Sequence, residues 1–104
     1  MMKISVVKTS LSSELQAKKL AEALLEARLA ACVQISGSGL SLYRWQDKVE
    51  HEQECYMSIK TSTELCDEVV SWLHEHHPYE TPEIVWSVCE ASPDYANWLA
   101  DMVK

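Results

Sequence analysis

The chain is 104 residues long, carries a formal net charge of −7 and is 47% hydrophobic. That length suits one domain with a real core, and the apolar share argues against disorder. The acidic balance, with no Lys/Arg cluster, excludes a phosphate-backbone partner. The first residues, Met1-Met2-Lys3-Ile4-Ser5-Val6-Val7, turn polar too quickly for a signal peptide, and no apolar run reaches the ~20 residues needed to span a bilayer. The reading is a cytoplasmic protein that meets neither nucleic acid nor membrane. Cys32, Cys55, Cys66 and Cys89 show no Cys-x-x-Cys spacing and are expected as thiols.

Lys3 to Thr9, with β-branched Ile4, Val6 and Val7, predicts a strand. Ser13 followed by Gln16 fits a capping box that opens a helix. Ala17, Leu20, Ala21, Leu24, Leu25 and Arg28 recur at the spacing of one helical face, which ends near Arg28 or Leu29. A second strand starts with Ala31, Val33 and Ile35. It is interrupted at Gly37 and Gly39, where a bulge or bend is expected, and resumes over Leu40–Trp45. Gln46-Asp47 is the expected hairpin turn.

Lys48 to Thr61 predicts the longest strand, with Val49, Cys55, Met57 and Ile59 on one side and Glu50, Glu52, Glu54, Tyr56, Ser58 and Lys60 on the other. The apolar side lapses at His51 and Gln53, so the first half reads as polar on both faces. Such an arm projects beyond its own core, and pairing with another subunit would cover its edge. Thr61 and Glu64 suggest a second capping box, opening a helix that buries Leu65, Cys66, Val69, Val70 and Leu73. His74, His76 and His77 close it. Pro78 and Pro82 then enforce a stiff extended connection. Glu83–Ala91 predicts the last strand, placing Cys89 in the core. Ser92-Pro93-Asp94 opens a short terminal helix expected to bury Tyr95, Trp98, Leu99 and Met102.

The order β-α-β-β-α-β-α predicts an α+β, ferredoxin-like βαββαβ sandwich over residues 1–104, with a short C-terminal helix. The sheet face opposite the two long helices retains apolar groups and is expected to meet a partner.

Several segments are similar to the CutA divalent-cation-tolerance family. They are Leu29-Ala30-Ala31-Cys32, Ser41-Leu42-Tyr43-Arg44-Trp45, Lys48-Val49-Glu50, Ile59-Lys60-Thr61, His77-Pro78-Tyr79-Glu80-Thr81-Pro82-Glu83-Ile84, and Asp94-Tyr95 with Trp98. They run in the family's order along nearly the whole chain. The resemblance implies a homotrimer whose hairpins extend sheets across subunit boundaries, with divalent metal, copper above all, as ligand. It implies no organic cofactor and no enzymatic reaction. It also implies an architecture similar to PII-type signalling trimers, so a scaffold binding a small metabolite between subunits is the alternative.

Two groups of residues carry these expectations. His76 and His77 are the candidate metal ligands, since imidazole suits copper, zinc and nickel. Their bland alternative is a helix cap and a solvated ring. Cys32, Tyr43, Trp45, Lys60, Tyr79 and Glu83 would line an intersubunit cleft, or equally lock the trimer. Some family members place a metal-binding cysteine at the end of the first strand, where this chain has Lys8 or Thr9. A cation held by the histidines would then need ligands from elsewhere in the trimer or from water.

Overall fold

A computed structural model describes residues 2–104. Strand β1 covers Met2–Leu11, helix α1 Glu14–Glu26, β2 Cys32–Trp45, β3 Lys48–Thr61, α2 Cys66–His76, β4 Val85–Ala91 and α3 Pro93–Met102. The four strands form one antiparallel sheet in the order β2-β3-β1-β4. This is the expected α+β sandwich.

The register decides the two faces. Ser5, Val7, Thr9 and Leu11 of β1 lie beside Thr61, Ile59, Met57 and Cys55 of β3. On this face Val7 and Ile59 pack with Leu24, Leu29, Val69 and Leu73, and Leu11 and Met57 pack with Ala17 and Ala21. Burying an aliphatic side chain of this size contributes about 1.5–3 kcal/mol. The opposite face is covered only in part. There Ile4 packs against Ala96 and Leu99 of α3, with Val6, Ala31, Ala91 and Tyr95 around them.

Local chemistry explains most boundaries. The Ser13 hydroxyl accepts from the Gln16 amide at 3.1 Å, as the capping box requires. Helix α1 stops earlier than its apolar face suggests. Arg28 takes φ 58, its amide donates to the Leu25 carbonyl at 3.0 Å, and the Leu29 amide donates to the Leu24 carbonyl at 3.0 Å. That is a Schellman ending with arginine where glycine is usual, and Leu24 and Leu29 supply its apolar contact. Arg28 is therefore no core-face residue. Its guanidinium reaches the end of α3 and donates to the carbonyls of Asp101 at 2.8 Å, Met102 at 3.1 Å and Val103 at 3.4 Å.

The bulge expected at the glycines is a register shift between Ser36 and Gly39. A side chain at Gly39 would strike the Tyr56 ring at Cε2, so glycine there leaves room for that ring. Beyond the bulge β2 and β3 continue as a two-stranded arm. Gln46 (φ 49) and Asp47 (φ 63) make the turn in the left-handed region, the type I′ geometry that matches strand twist. The arm stretches the molecule to 45 × 26 × 22 Å.

Five further expectations need correction. The arm is not polar throughout, because β2 contributes exposed Leu40, Leu42, Tyr43 and Trp45 and β3 contributes exposed Val49. Thr61 does not cap α2. It ends β3 fully buried and its hydroxyl donates to the Leu29 carbonyl at 2.6 Å, while a 3-10 turn over Thr63–Leu65 leads into the helix. Cys89 is exposed, because β4 is an edge strand with little over it. In α3 the buried residues are Ala96 and Leu99, whereas Trp98 and Met102 face outward. Glu54, assigned to the solvent side with Glu50 and Glu52, is buried.

Candidate functional site

The segment from His77 to Ile84 joins α2 to β4 and runs past the end of β1, where β4 no longer pairs. Pro78 forces His77 out of the helix, to φ −71 and ψ 136. The His77 amide still donates to the Leu73 carbonyl at 2.8 Å, closing the last turn. Its ring turns inward and is only 8% exposed. Nε2 lies 3.0 Å from the Ser10 carbonyl oxygen, which can only accept. Nδ1 lies 3.1 Å from the Tyr79 amide nitrogen, which can only donate. Both partners are satisfied by one species, the neutral ring with its proton on Nε2. Burial lowers the pKa of His77, offset in part by the Ser10 carbonyl and the charge of Glu54. Both nitrogens are engaged, so His77 has no lone pair to give a metal.

Tyr79 extends this network. Its ring meets the His77 ring edge-on at 4.9 Å, and its hydroxyl donates to Glu54 Oε2 at 3.1 Å. The Ser10 hydroxyl donates to Glu54 Oε1 at 3.3 Å. One buried carboxylate thus ties the linker, the end of β1 and the root of the arm together. Burial raises the Tyr79 pKa, and the adjacent Glu54 adds to the rise against the lowering effect of Ser12.

His76 is the opposite case. Its ring lies on solvent and stacks on the Trp72 indole, with centroids 4.1 Å apart and planes 15° apart. Nδ1 lies 2.8 Å from the Trp72 carbonyl oxygen, so Nδ1 carries the proton and Nε2 presents a free lone pair. A backbone carbonyl orienting one ring nitrogen is how metal-binding histidines are held ready. The neighbouring imidazoles, expected to act as a pair, point to different places because His76 is the last helical residue whereas Pro78 holds His77 in an extended conformation. Among the described residues, no three His, Cys, Asp or Glu side chains of one chain converge where a cation could sit. A single subunit therefore does not fit a bound divalent ion.

The six residues assigned to a cleft fall into three groups. Cys32 and Lys60 are cross-strand partners on the face bearing α3, with Lys60 Nζ 5.8 Å from the centroid of Tyr95. Burial, then Cys32, raises the Tyr95 pKa. Tyr43 and Trp45 lie near the tip of the arm, exposed, opposite Glu50 and Lys48. Tyr79 and Glu83 belong to the linker. One chain does not bring these groups together.

Sequence reasoning missed Glu54, Ser10 and Trp72 as parts of this region. Trp72 was findable, since it stands four residues before His76 on the same helical face. Glu54 was not, because only the pairing of β1 with β3 brings it beside Ser10.

The profile described as CutA1 divalent ion tolerance protein matches residues 5–102. The divalent-cation tolerance protein CutA of Pectobacterium atrosepticum is 43% identical over 84 residues, 80% of this chain and 76% of the relative. That of Thermus thermophilus is 39% identical over 97 residues, 92% and 94% of the two chains. The solved structure of CutA from Synechococcus elongatus superposes with a TM-score of 0.94 at 38% identity, covering 100% of this chain and 93% of its own. CutA1 from Ehrlichia chaffeensis superposes with a TM-score of 0.93 at 29% identity, covering 98% and 96%.

Proposed function

Because this chain belongs to the CutA1 divalent ion tolerance family, we propose that it acts in divalent-metal tolerance as a cytoplasmic homotrimer that binds copper-type cations and catalyses no reaction. The observation that carries this reading is the state of His76. Its Nδ1 is committed to the Trp72 carbonyl, its Nε2 is free, and its ring is on the surface. That ring can donate to a copper, zinc or nickel ion without rearrangement.

One imidazole is not a site, and the remaining ligands come from neighbouring subunits or water. Assembly is also what the exposed apolar groups call for. Leu40, Leu42, Trp45 and Val49 on the arm and Val85, Trp86 and Val88 on β4 are each about half exposed or more. β2 and β4 are the two open edges of the sheet. A trimer in which arms lie along neighbouring edges covers both the apolar surface and the unpaired backbone. In this reading Tyr43 and Trp45 of one subunit approach Cys32, Lys60, Tyr79 and Glu83 of others. Among the described residues, no helix is long and apolar enough to cross a membrane.

The test is titration of copper(II) by calorimetry at neutral pH. His76→Ala abolishes binding, whereas His77→Gln lowers stability and leaves the affinity in place. Unchanged affinity and stoichiometry in His76→Ala would refute the ligand assignment. A monomer in light scattering would refute the trimer.

A further inference from the structure

Where the arm leaves the body, backbone pairing does not fix its direction. β1 pairs with β3 no further than Leu11 and Cys55. From Gly39 and Glu54 outward to Trp45 and Lys48 the ladder is two-stranded. A two-stranded ribbon is marginal by itself. The register shift at its root adds a bend. Two residues of β2, Gly37 and Ser38, stand there against one of β3, Cys55. A bulge of that kind bends and twists the strand that carries it.

Glu54 is the first residue of β3 beyond that bulge, and its side chain reaches back to the body. Oε1 accepts from the Ser10 hydroxyl of β1 at 3.3 Å, and Oε2 accepts from the Tyr79 hydroxyl of the linker at 3.1 Å. Both anchors are held in turn by His77, which faces the Ser10 carbonyl at 3.0 Å and the Tyr79 amide at 3.1 Å. Glu54 and His77 are each 8% exposed. Among the described residues, the other side-chain bond across the hinge is an exposed one, between the hydroxyls of Ser41 and Tyr56 at 3.3 Å. A carboxylate leaves water at a large cost unless its oxygens are hydrogen-bonded. Any other direction of the arm would part Glu54 from both of its donors.

We propose that Glu54, held by Tyr79 and Ser10, is the positioning residue for subunit assembly, fixing the arm in the direction in which it meets a neighbouring subunit. This rests on the trimeric reading and adds to it the group that makes the arm ready. Leu40, Leu42, Trp45 and Val49 ride on the arm, each more than half exposed. An arm free to swing must be ordered when it docks, and that cost is subtracted from the affinity. A trimer orders three arms, so the losses multiply. A loss of about tenfold for each arm is about a thousandfold in the trimer-to-monomer constant. Neither His76 nor any cation takes part.

The experiment follows the whole, metal-free chain, dye-labelled at its N-terminus, by sedimentation through a dilution series, with circular dichroism as the check on folding. Glu54→Ala removes both bonds, Tyr79→Phe removes one, and Glu54→Gln keeps an acceptor for Tyr79. The concentration of half-dissociation scales as the square root of the trimer-to-monomer constant, so it should rise about thirtyfold in Glu54→Ala. It should rise less in Tyr79→Phe and return toward wild type in Glu54→Gln. Tyr79→Phe decides the matter if Glu54→Ala does not fold. Ser13→Ala is the control, because it weakens the fold through the cap of α1, away from the arm, and it should dissociate as wild type does. The inference is overturned if the Glu54 and Tyr79 variants dissociate at the wild-type concentration, or if Ser13→Ala shifts as far as they do. A wild type that is monomeric throughout defeats the trimer reading and this inference together, whereas a wild-type trimer with unmoved variants defeats this inference alone.

Discussion

Removing the hydroxyl of Tyr79 tests whether Glu54 ties the linker to the root of the arm. Each carboxylate oxygen of Glu54 has one donor, Ser10 at 3.3 Å and Tyr79 at 3.1 Å, and the residue is 8% exposed. Tyr79→Phe leaves Oε2 without its partner. A hydrogen bond to a charged group is worth about 1.5–3 kcal/mol. Tyr79 is only half-buried, so water replaces part of the loss and the lower end, about 1.5 kcal/mol, applies. For a chain of this size that lowers the midpoint of thermal unfolding by roughly 6–12 °C. The assay is thermal unfolding at fixed protein concentration, since assembly makes the midpoint concentration-dependent. A double-mutant cycle with Glu54→Gln isolates the pair. The coupling should fall to about 0.5–1 kcal/mol when the acceptor is a neutral amide. A Tyr79→Phe loss below about 0.5 kcal/mol, or an equal loss in a Glu54→Ala background, would sink the argument.

The ring of His77 makes stability pH-dependent. Its folded-state pKa lies below the unfolded value of about 6.5, so the unfolded chain binds the extra proton first. That part of the stability is present above about pH 6.5 and is lost as pH falls from there to the folded-state pKa. Protonated Nδ1 would also face the Tyr79 amide donor to donor. Denaturant titrations at about pH 7 and about pH 5.5 should show this loss, reduced in His77→Gln, and an identical pH response in both proteins would refute the assignment. Arg28→Ala removes three bonds to the end of α3, at a cost of about 1–2 kcal/mol because they lie near solvent. Amide exchange should accelerate across α3 while β1 and β3 stay protected, and unchanged exchange in α3 would show that Arg28 does not anchor it. Ser13→Ala deletes the cap of α1 and should cost about 1 kcal/mol, read from the urea midpoint.

The order of elements was legible in the sequence because each rests on local chemistry. The strand pattern over Lys48–Thr61 gave the bounds of β3, and Ser13 with Gln16 placed the start of α1. The turn at Gln46-Asp47 was legible from its position between two strand patterns, although neither residue is glycine. Similarity of motifs, rather than periodicity, supplied the family. What the sequence left open depends on partners far apart in the chain. Thr61 looked like a cap until the fold placed it against the Leu29 carbonyl. Arg28 looked like part of an apolar face until α3 came within its reach. Glu54 alternates with Glu50 and Glu52, and only the edge of β1 and the returning linker bury it.

The histidines divide along the same line. The sequence by itself determined that two imidazoles stand at a helix end and that Pro78 takes His77 out of the helix, because proline restricts the residue before it. Which ring keeps a free lone pair was decided only by tertiary structure. Ser10 and Tyr79 take both nitrogens of His77, whereas His76 spends one on its own helix and holds the other to solvent. A local pattern sets backbone direction, but lone pairs are allotted by whatever the fold brings near.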